Sequence, residues 1–228
     1  MLMRRVVDNK VFVLGYRIVA LVIISFGLVN TAGLFSVSTS WHIFFTYTAQ
    51  SNVLVMLFFI VCIVKTAGVS ADNKKAYRFG FYPVLSFTVS IAILITMLIF
   101  WTILAPMSWA GSYLMTYSNF AVHLICPLLM LFDRIMFYKP GTIRKFDPFF
   151  IIVFPYLHVA QSFIIGLNRL VYFAPMRIDS YYIYPFLDYD AHGNTVFLYI
   201  LGLTVIFIGI GYGWRYIENR YAAKTASD

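Results

Sequence analysis

Acidic side chains are scarce in this 228-residue chain: nine Asp and Glu in all, against 17 Lys and Arg, with Glu218 the one glutamate. Charged residues make up 11% of the sequence, where a soluble domain carries about a quarter. That shortage excludes an ordinary water-facing surface and leaves few carboxylates for acid–base work. Cysteine is nearly absent too. Cys62 and Cys126 each lie inside an apolar run, so a disulfide framework is excluded, and two thiols without well-placed histidines do not make a structural zinc site. We read both as small packing residues and expect neither metal nor cofactor. No segment resembles a nucleic-acid module, so the net charge of +8 does not point to nucleic acid. Lys and Arg instead fall between alternate apolar runs, the pattern that orients a membrane protein and sets basic loops against lipid headgroups.

What the chain has in abundance is hydrocarbon. It is 61% hydrophobic, with a mean hydropathy of +0.82. A bilayer core about 30 Å thick is crossed by about 20 residues of helix. The runs at 12–34, 43–64, 80–104, 114–137, 149–170 and 195–216 meet that length and fill the chain, which predicts one all-α, six-helix polytopic domain over 1–228. The first run is longer than a signal-peptide core, and no small-x-small site precedes Trp41, so we expect it to be retained. Pro83, Pro127 and Pro155 fall inside runs and predict kinks, with neighbouring groups meeting the freed carbonyls. No motif recurs between the halves, which weakens a transporter built on inverted repeats.

Basic residues set the expected orientation. One side collects Arg4, Arg5, Lys10, Arg17, Lys65, Lys74, Lys75, Arg78, Arg134, Lys139, Arg144, Lys145, Arg215, Arg220 and Lys224, and the other only Arg169 and Arg177. Both termini are therefore expected in the cytoplasm, and the membrane is the plasma (inner) membrane if the source is bacterial. The 171–194 segment, acidic and rich in tyrosine, reads as an interfacial belt or lid on the outer side.

Two runs carry polar residues where hydrocarbon should sit. Thr46, Thr48, Gln50, Ser51 and Asn52 lie in the second, and Asn119 and His123 in the fourth. Such clusters mark candidate sites facing a bundle interior. Both runs enter from the outer side, with His123 about 13 Å in at the helical rise, so the groups meet if the two spans pack. A threonine hydroxyl attacks a carbonyl only if a base takes its proton, and histidine suits that task. Gln50, Asn52 and Asn119 are candidates to support the pair or to donate to an oxyanion. A carboxylate to orient the histidine is not at hand, because Glu218 is on the other side and Asp188 and Asp190 require a folded-back loop. Bland readings stand beside this one. A membrane threonine commonly bonds its own i−4 carbonyl. His123 and His158 together suit a heme between helices. A non-enzymatic transporter or lipid-binding scaffold fits the same hydropathy. Ser90, Thr96 and Thr102 read as helix-packing residues.

The strings Trp41-His-Ile-Phe-Phe-Thr46-Tyr, Asn119-Phe-Ala-Val-His123 and Tyr184-Pro-Phe-Leu-Asp188 resemble the androgen-induced-gene / androgen-dependent TFPI-regulating protein family. Gln50-Ser51-Asn52 and the Tyr-Pro-Phe-Leu-acid string look most like its bacterial relatives. The resemblance implies a six-helix membrane threonine hydrolase of fatty acid esters of hydroxy fatty acids or similar acyl esters. It implies Thr46 as nucleophile and His123 as base, with Tyr184, Phe186 and Asp188 lining the substrate. Thr46 stands five residues after Trp41 where the family has four, and this offset leaves Thr48 as the alternative nucleophile. The expected partners are a lipid or fatty-acyl ester and membrane lipids, with the oligomeric state open.

Overall fold

The computed structural model describes residues 9–34, 41–70, 72–73, 81–105, 116–173 and 179–227. Arg4, Arg5, Lys74, Lys75, Arg78 and Arg177 lie outside them, as do most of the 35–42 and 105–113 connections. Six helices are long and apolar enough to cross a membrane, and no strand occurs among the described residues. The chain is an all-α, multi-pass membrane protein.

Helix α1 (Lys10–Thr31) starts at Asn9, whose side chain accepts from the Val11 and Phe12 amides. Helix α2 is Tyr47–Gly68. Helix α3 (Pro83–Ile99) continues as a π turn over Phe100–Leu104. Helix α4 (Tyr117–Phe137) contains a second π turn at Ala121–Ile125. Helix α5 (Asp147–Leu167) opens with a 3-10 segment, Asp147–Ile152. Helix α6 runs over Thr195–Ser227.

Three differences from the expected spans have local causes. Thr46 is extended (φ −76°, ψ 145°) and caps α2, so that helix begins at Tyr47 and residues 41–45 form a separate 3-10 turn. Thr46 therefore sits at the mouth of the span rather than a turn inside it. Pro83 occupies the first turn of α3, where a missing N–H costs nothing, so no kink arises there. Helix α6 has 33 residues, about 50 Å at the helical rise, and so projects beyond a bilayer core.

Hydrogen bonds between helix ends show that sequential spans alternate in direction. At one end, Lys10 Nζ donates to the Ala67 and Val69 carbonyls (3.0 and 2.5 Å), joining the start of α1 to the end of α2. Arg134 Nη1 donates to the Pro83 carbonyl (2.8 Å), joining the end of α4 to the start of α3. Most of the cations counted in the orientation argument cluster here, so we call it the basic end. At the opposite, histidine end, Gln50 meets Gln161 and so joins the start of α2 to the end of α5.

Charge is concentrated and closed at the basic end. Arg17, fully buried, donates from Nε to Asp133 Oδ1 and from Nη1 to Thr66 Oγ1, both at 2.8 Å. Arg134 grips both Glu218 oxygens at 2.8 and 2.9 Å, and Trp214 Nε1 adds a third donor to that carboxylate. Between the ends lies a core of Val13, Ile24, Val55, Phe59, Ile93 and Met130 from α1 to α4. Cys62 and Cys126 are free and buried within it. Gly27 lets α1 approach the π turn of α4 closely, since a Cβ there would lie 2.6 Å from that of Ala121. The outward faces are apolar: Val22, Leu157, Ile164, Leu198 and Val205 are exposed, as lipid-facing residues must be.

Candidate active site

The site begins with a proline. Pro127 has no N–H to give to a carbonyl one turn back. The chain before it widens into the π turn, with the Cys126 amide bonding the Ala121 carbonyl five residues earlier. Returning to normal helical spacing at a residue without an N–H leaves the Val122 and His123 carbonyls without helical donors. Side chains from the two neighbouring helices meet both. Asn52 Nδ2 donates to the Val122 carbonyl (3.1 Å) and Trp101 Nε1 to that of His123 (3.0 Å). The kink thus fixes α4 against α2 and α3, and π turns of this kind recur at functional sites.

His123 is held on this turn with its orientation determined. Its Nδ1 lies 3.1 Å from the Asn119 carbonyl. A carbonyl only accepts, so Nδ1 carries the proton and Nε2 presents its lone pair. Phe100 stacks on the ring at 3.6 Å between centroids, 18° from parallel. At Nε2, 3.3 Å away, is the hydroxyl of Thr48, which therefore donates. The order is Thr48 O–H to His123 Nε2, then His123 Nδ1–H to the Asn119 carbonyl. A backbone oxygen does the orienting work for which no carboxylate was found.

The two threonines are distinguished by their partners. Thr46 Oγ1 donates to the Ile43 carbonyl at 2.7 Å and accepts from the Ala49 amide at 3.1 Å, a complete N-cap. Thr31, Thr96, Thr102 and Thr204 all donate to their own i−4 carbonyls, as expected for packing hydroxyls. Thr48 differs because its i−4 carbonyl, on Phe44, is already bonded by Gln50 Nε2 at 3.0 Å. Its hydroxyl is left to the histidine.

The amides are more committed than their oxyanion role requires. Gln50 gives its other N–H to Gln161 Oε1 (2.5 Å) and accepts from His158 Nδ1 (3.0 Å). Asn52 donates to the Thr48 carbonyl (2.8 Å) as well as to Val122, so both its N–H groups are used. Asn119 contributes through its main chain. Ser51 bonds Thr96 across to α3 (2.8 Å).

The described part of the 171–194 segment folds back over this end, with Tyr182, Ile183 and Leu187 buried. From it Tyr184 inserts its hydroxyl at the start of α2, accepting from the Tyr47 amide at 3.1 Å. Burial pushes that phenol up to about 12, partly offset by the donors at the start of α2, the Tyr47 amide first. Sequence reasoning placed Tyr184 only as a lining residue; its bond to the Tyr47 amide was not legible. Phe186 stacks on Tyr184 and lines a small apolar groove between α5 and α6 with Pro155, Val159, Leu203 and Phe207. Asp188 stays apart from the histidines: it caps the short helix Tyr189–His192 and accepts from Ser180 Oγ at 2.6 Å. Asp190 pairs with Arg169. Among the described residues no cluster of His, Cys, Asp or Glu suits a metal ion. Comparison with family models, curated proteins and solved structures returned no match.

Proposed function

We propose that the chain is an intramembrane lipid-ester hydrolase whose nucleophile is Thr48 and whose base is His123. The observation that carries this reading is the Thr48 hydroxyl on a histidine nitrogen whose lone pair is fixed by the Asn119 carbonyl. In the reaction, Thr48 Oγ attacks the ester carbonyl as Nε2 takes its proton. The same proton then passes to the departing alcohol, leaving an acyl-threonine. Water repeats the sequence in reverse and releases the acid. The tetrahedral oxyanion forms beside the first turn of α2, where the helix dipole favours negative charge. Tyr184 now occupies the Tyr47 amide there, so its phenol must yield or itself donate to the oxyanion.

The substrate class is an acyl ester with long chains, such as a fatty acid ester of a hydroxy fatty acid. It enters laterally between apolar helix faces. With both termini cytoplasmic, as the basic residues favour, the site opens toward the outer leaflet, that of the plasma (inner) membrane if the source is bacterial. A heme between His123 and His158 is less well supported, because both ring nitrogens of His123 are engaged.

Labelling the purified protein with a long-chain fluorophosphonate and mapping the adduct by peptide mass spectrometry tests the reading. The adduct is expected on Thr48, lost in Thr48→Ala and His123→Ala and kept in Thr46→Ala. An adduct on Thr46 instead moves the nucleophile without removing the hydrolase. A folded wild type that takes no probe and cleaves no ester across a broad panel points to a non-enzymatic transporter or lipid-binding scaffold.

A further inference from the structure

A second imidazole packs on Tyr47 at the start of α2, and the proposed reaction does not use it. His158 on α5 is 5% exposed. Its tautomer is also determined by its neighbours. The Phe44 carbonyl accepts from Gln50 Nε2 and so sets which way that amide faces. Gln50 Oε1 then lies 3.0 Å from His158 Nδ1, which must be the protonated nitrogen. Nε2 therefore presents a lone pair, and it is buried without a hydrogen-bond partner. One helical turn on, Ser162 is 3% exposed and its hydroxyl is likewise buried and unpartnered. It does not take its own i−4 carbonyl, as four threonines of this bundle do. Residues i and i+4 share a helix face, so an acceptor and a donor-acceptor stand side by side.

The surroundings define the rest of the site. The rings of Tyr47 and Tyr184 flank His158 at 5.5 and 5.6 Å, and the Tyr184 hydroxyl accepts from the amide of Tyr47, the residue before Thr48. A turn beyond Ser162, the Tyr182 ring lies so close over Gly166 that a Cβ there would be 2.1 Å from it. His158 is thus flanked by two aromatic rings, one of them that of Tyr47, the residue before the proposed nucleophile. Leaving two buried polar groups unpaired costs about 1–3 kcal/mol each, so the arrangement favours a ligand that satisfies them.

The geometry points to a hydroxyl-binding subsite: His158 Nε2 accepts from, and Ser162 Oγ donates to, an alcohol group of a lipid. The donor–acceptor complement selects this chemistry. A carboxylate offers only acceptors to a nitrogen that needs a donor. A quaternary ammonium has no N–H to give, and a primary ammonium would be buried with no carboxylate beside it, since Asp188 and Asp190 are occupied elsewhere. An alcohol both donates and accepts. Its identification as the free hydroxyl of a hydrolysed ester, such as an acylglycerol, rests on the hydrolase reading; the binding of the hydroxyl does not.

The test uses two non-hydrolysable probes on the full-length protein in micelles: 1-O-hexadecylglycerol and its 2,3-di-O-methyl ether. Affinities are compared by native mass spectrometry, with ester turnover measured separately. The diol is expected to bind about ten- to a hundredfold more tightly than the dimethyl ether. His158→Phe should bring that ratio close to one, and Ser162→Ala should reduce it severalfold while leaving α5 unstrained, so it carries the test if His158→Phe fails to fold. Equal binding of the two probes by the wild type overturns the subsite, as does an unchanged ratio in Ser162→Ala and in folded His158→Phe. Selective diol binding with no turnover of any ester keeps the subsite and removes the hydrolase.

Discussion

The two ends of the bundle solve the same problem in opposite ways. At the basic end, the buried charges are paired: Arg17 is shared between Asp133 and Thr66, and Arg134 between Glu218 and the Pro83 carbonyl, with the Ser86 hydroxyl the neutral group left over nearby. At the histidine end, buried polarity is neutral and incomplete. His158 Nε2, Ser162 Oγ and Asn52 Oδ1 have no partner there, and the backbone widens into π turns on two adjacent helices. A paired ionic network fixes helices in register and leaves its charges little to offer a ligand. A neutral network with its tautomers set and lone pairs facing inward is suited to bind and react. On the proposed function, one end serves stability and the other chemistry, and that division can be broken at either.

The largest expected effect is at the histidine end and falls on turnover alone. Thr48→Ala and His123→Ala should each lower ester hydrolysis by about a thousandfold or more, roughly 4 kcal/mol of barrier, and the double variant should be little worse, since the two groups act as one unit. Their unfolding midpoints should stay near the wild type. Variants that fold and still hydrolyse at the wild-type rate place the chemistry elsewhere.

At the basic end the effect should fall on stability. Asp133→Ala leaves the Arg17 guanidinium buried without its counter-charge, which costs about 3–5 kcal/mol. Replacing both partners, Arg17→Met with Asp133→Leu, removes the stranded charge and should recover most of that loss. Thermal unfolding in detergent reads both. If the double variant is as unstable as Asp133→Ala, the pair does more than neutralise itself.

How much of this contrast the sequence revealed depends on the range of the interactions. The six spans were legible because hydropathy is additive along the chain. The Asn119–His123 relation was legible because i,i+4 spacing is local, although the carbonyl rather than the side chain makes the bond. Arg17 was counted among the end-of-span cations, since nothing nearby in sequence announces that Asp133, 116 residues away, will face it. The choice between Thr46 and Thr48 turned on where α2 begins, a boundary fixed by one extended residue. Tyr184 reaches the start of α2 only because its loop folds back, which no local pattern encodes.

Trp101→Phe tests the join between the two kinds of structure. It keeps the aromatic ring but removes the donor to the His123 carbonyl, which the π turn and Pro127 have left without a helical partner. An unmet buried carbonyl costs about 1–3 kcal/mol. Stability should fall by that amount, and turnover should fall further than stability alone explains, because the turn that aims His123 is then free to relax. A loss of stability with unchanged kcat would show that the aim of the imidazole comes from Phe100 and Asn119 without Trp101.

The smallest effect is the most discriminating for the nucleophile. Thr46 and Thr48 are two residues apart, and each has a hydroxyl near the start of α2. Thr46 spends its own on the helix cap, donating to Ile43 and accepting from Ala49, whereas that of Thr48 meets His123. Removing a capping threonine costs about 1 kcal/mol, so Thr46→Ala should lower the unfolding midpoint by a few degrees and keep most of the activity. Thr46→Ser and Thr46→Asp, which also cap, should restore the midpoint. Thr48→Ser should retain a measurable rate, because it keeps the attacking oxygen and loses only the methyl that restricts the rotamer. The pattern separates a residue that holds the helix start from one that reacts there. If Thr46→Asp, with a sound cap and no hydroxyl, is inactive while Thr48→Ala hydrolyses normally, the assignment reverses and Thr46 must leave its cap to reach the imidazole.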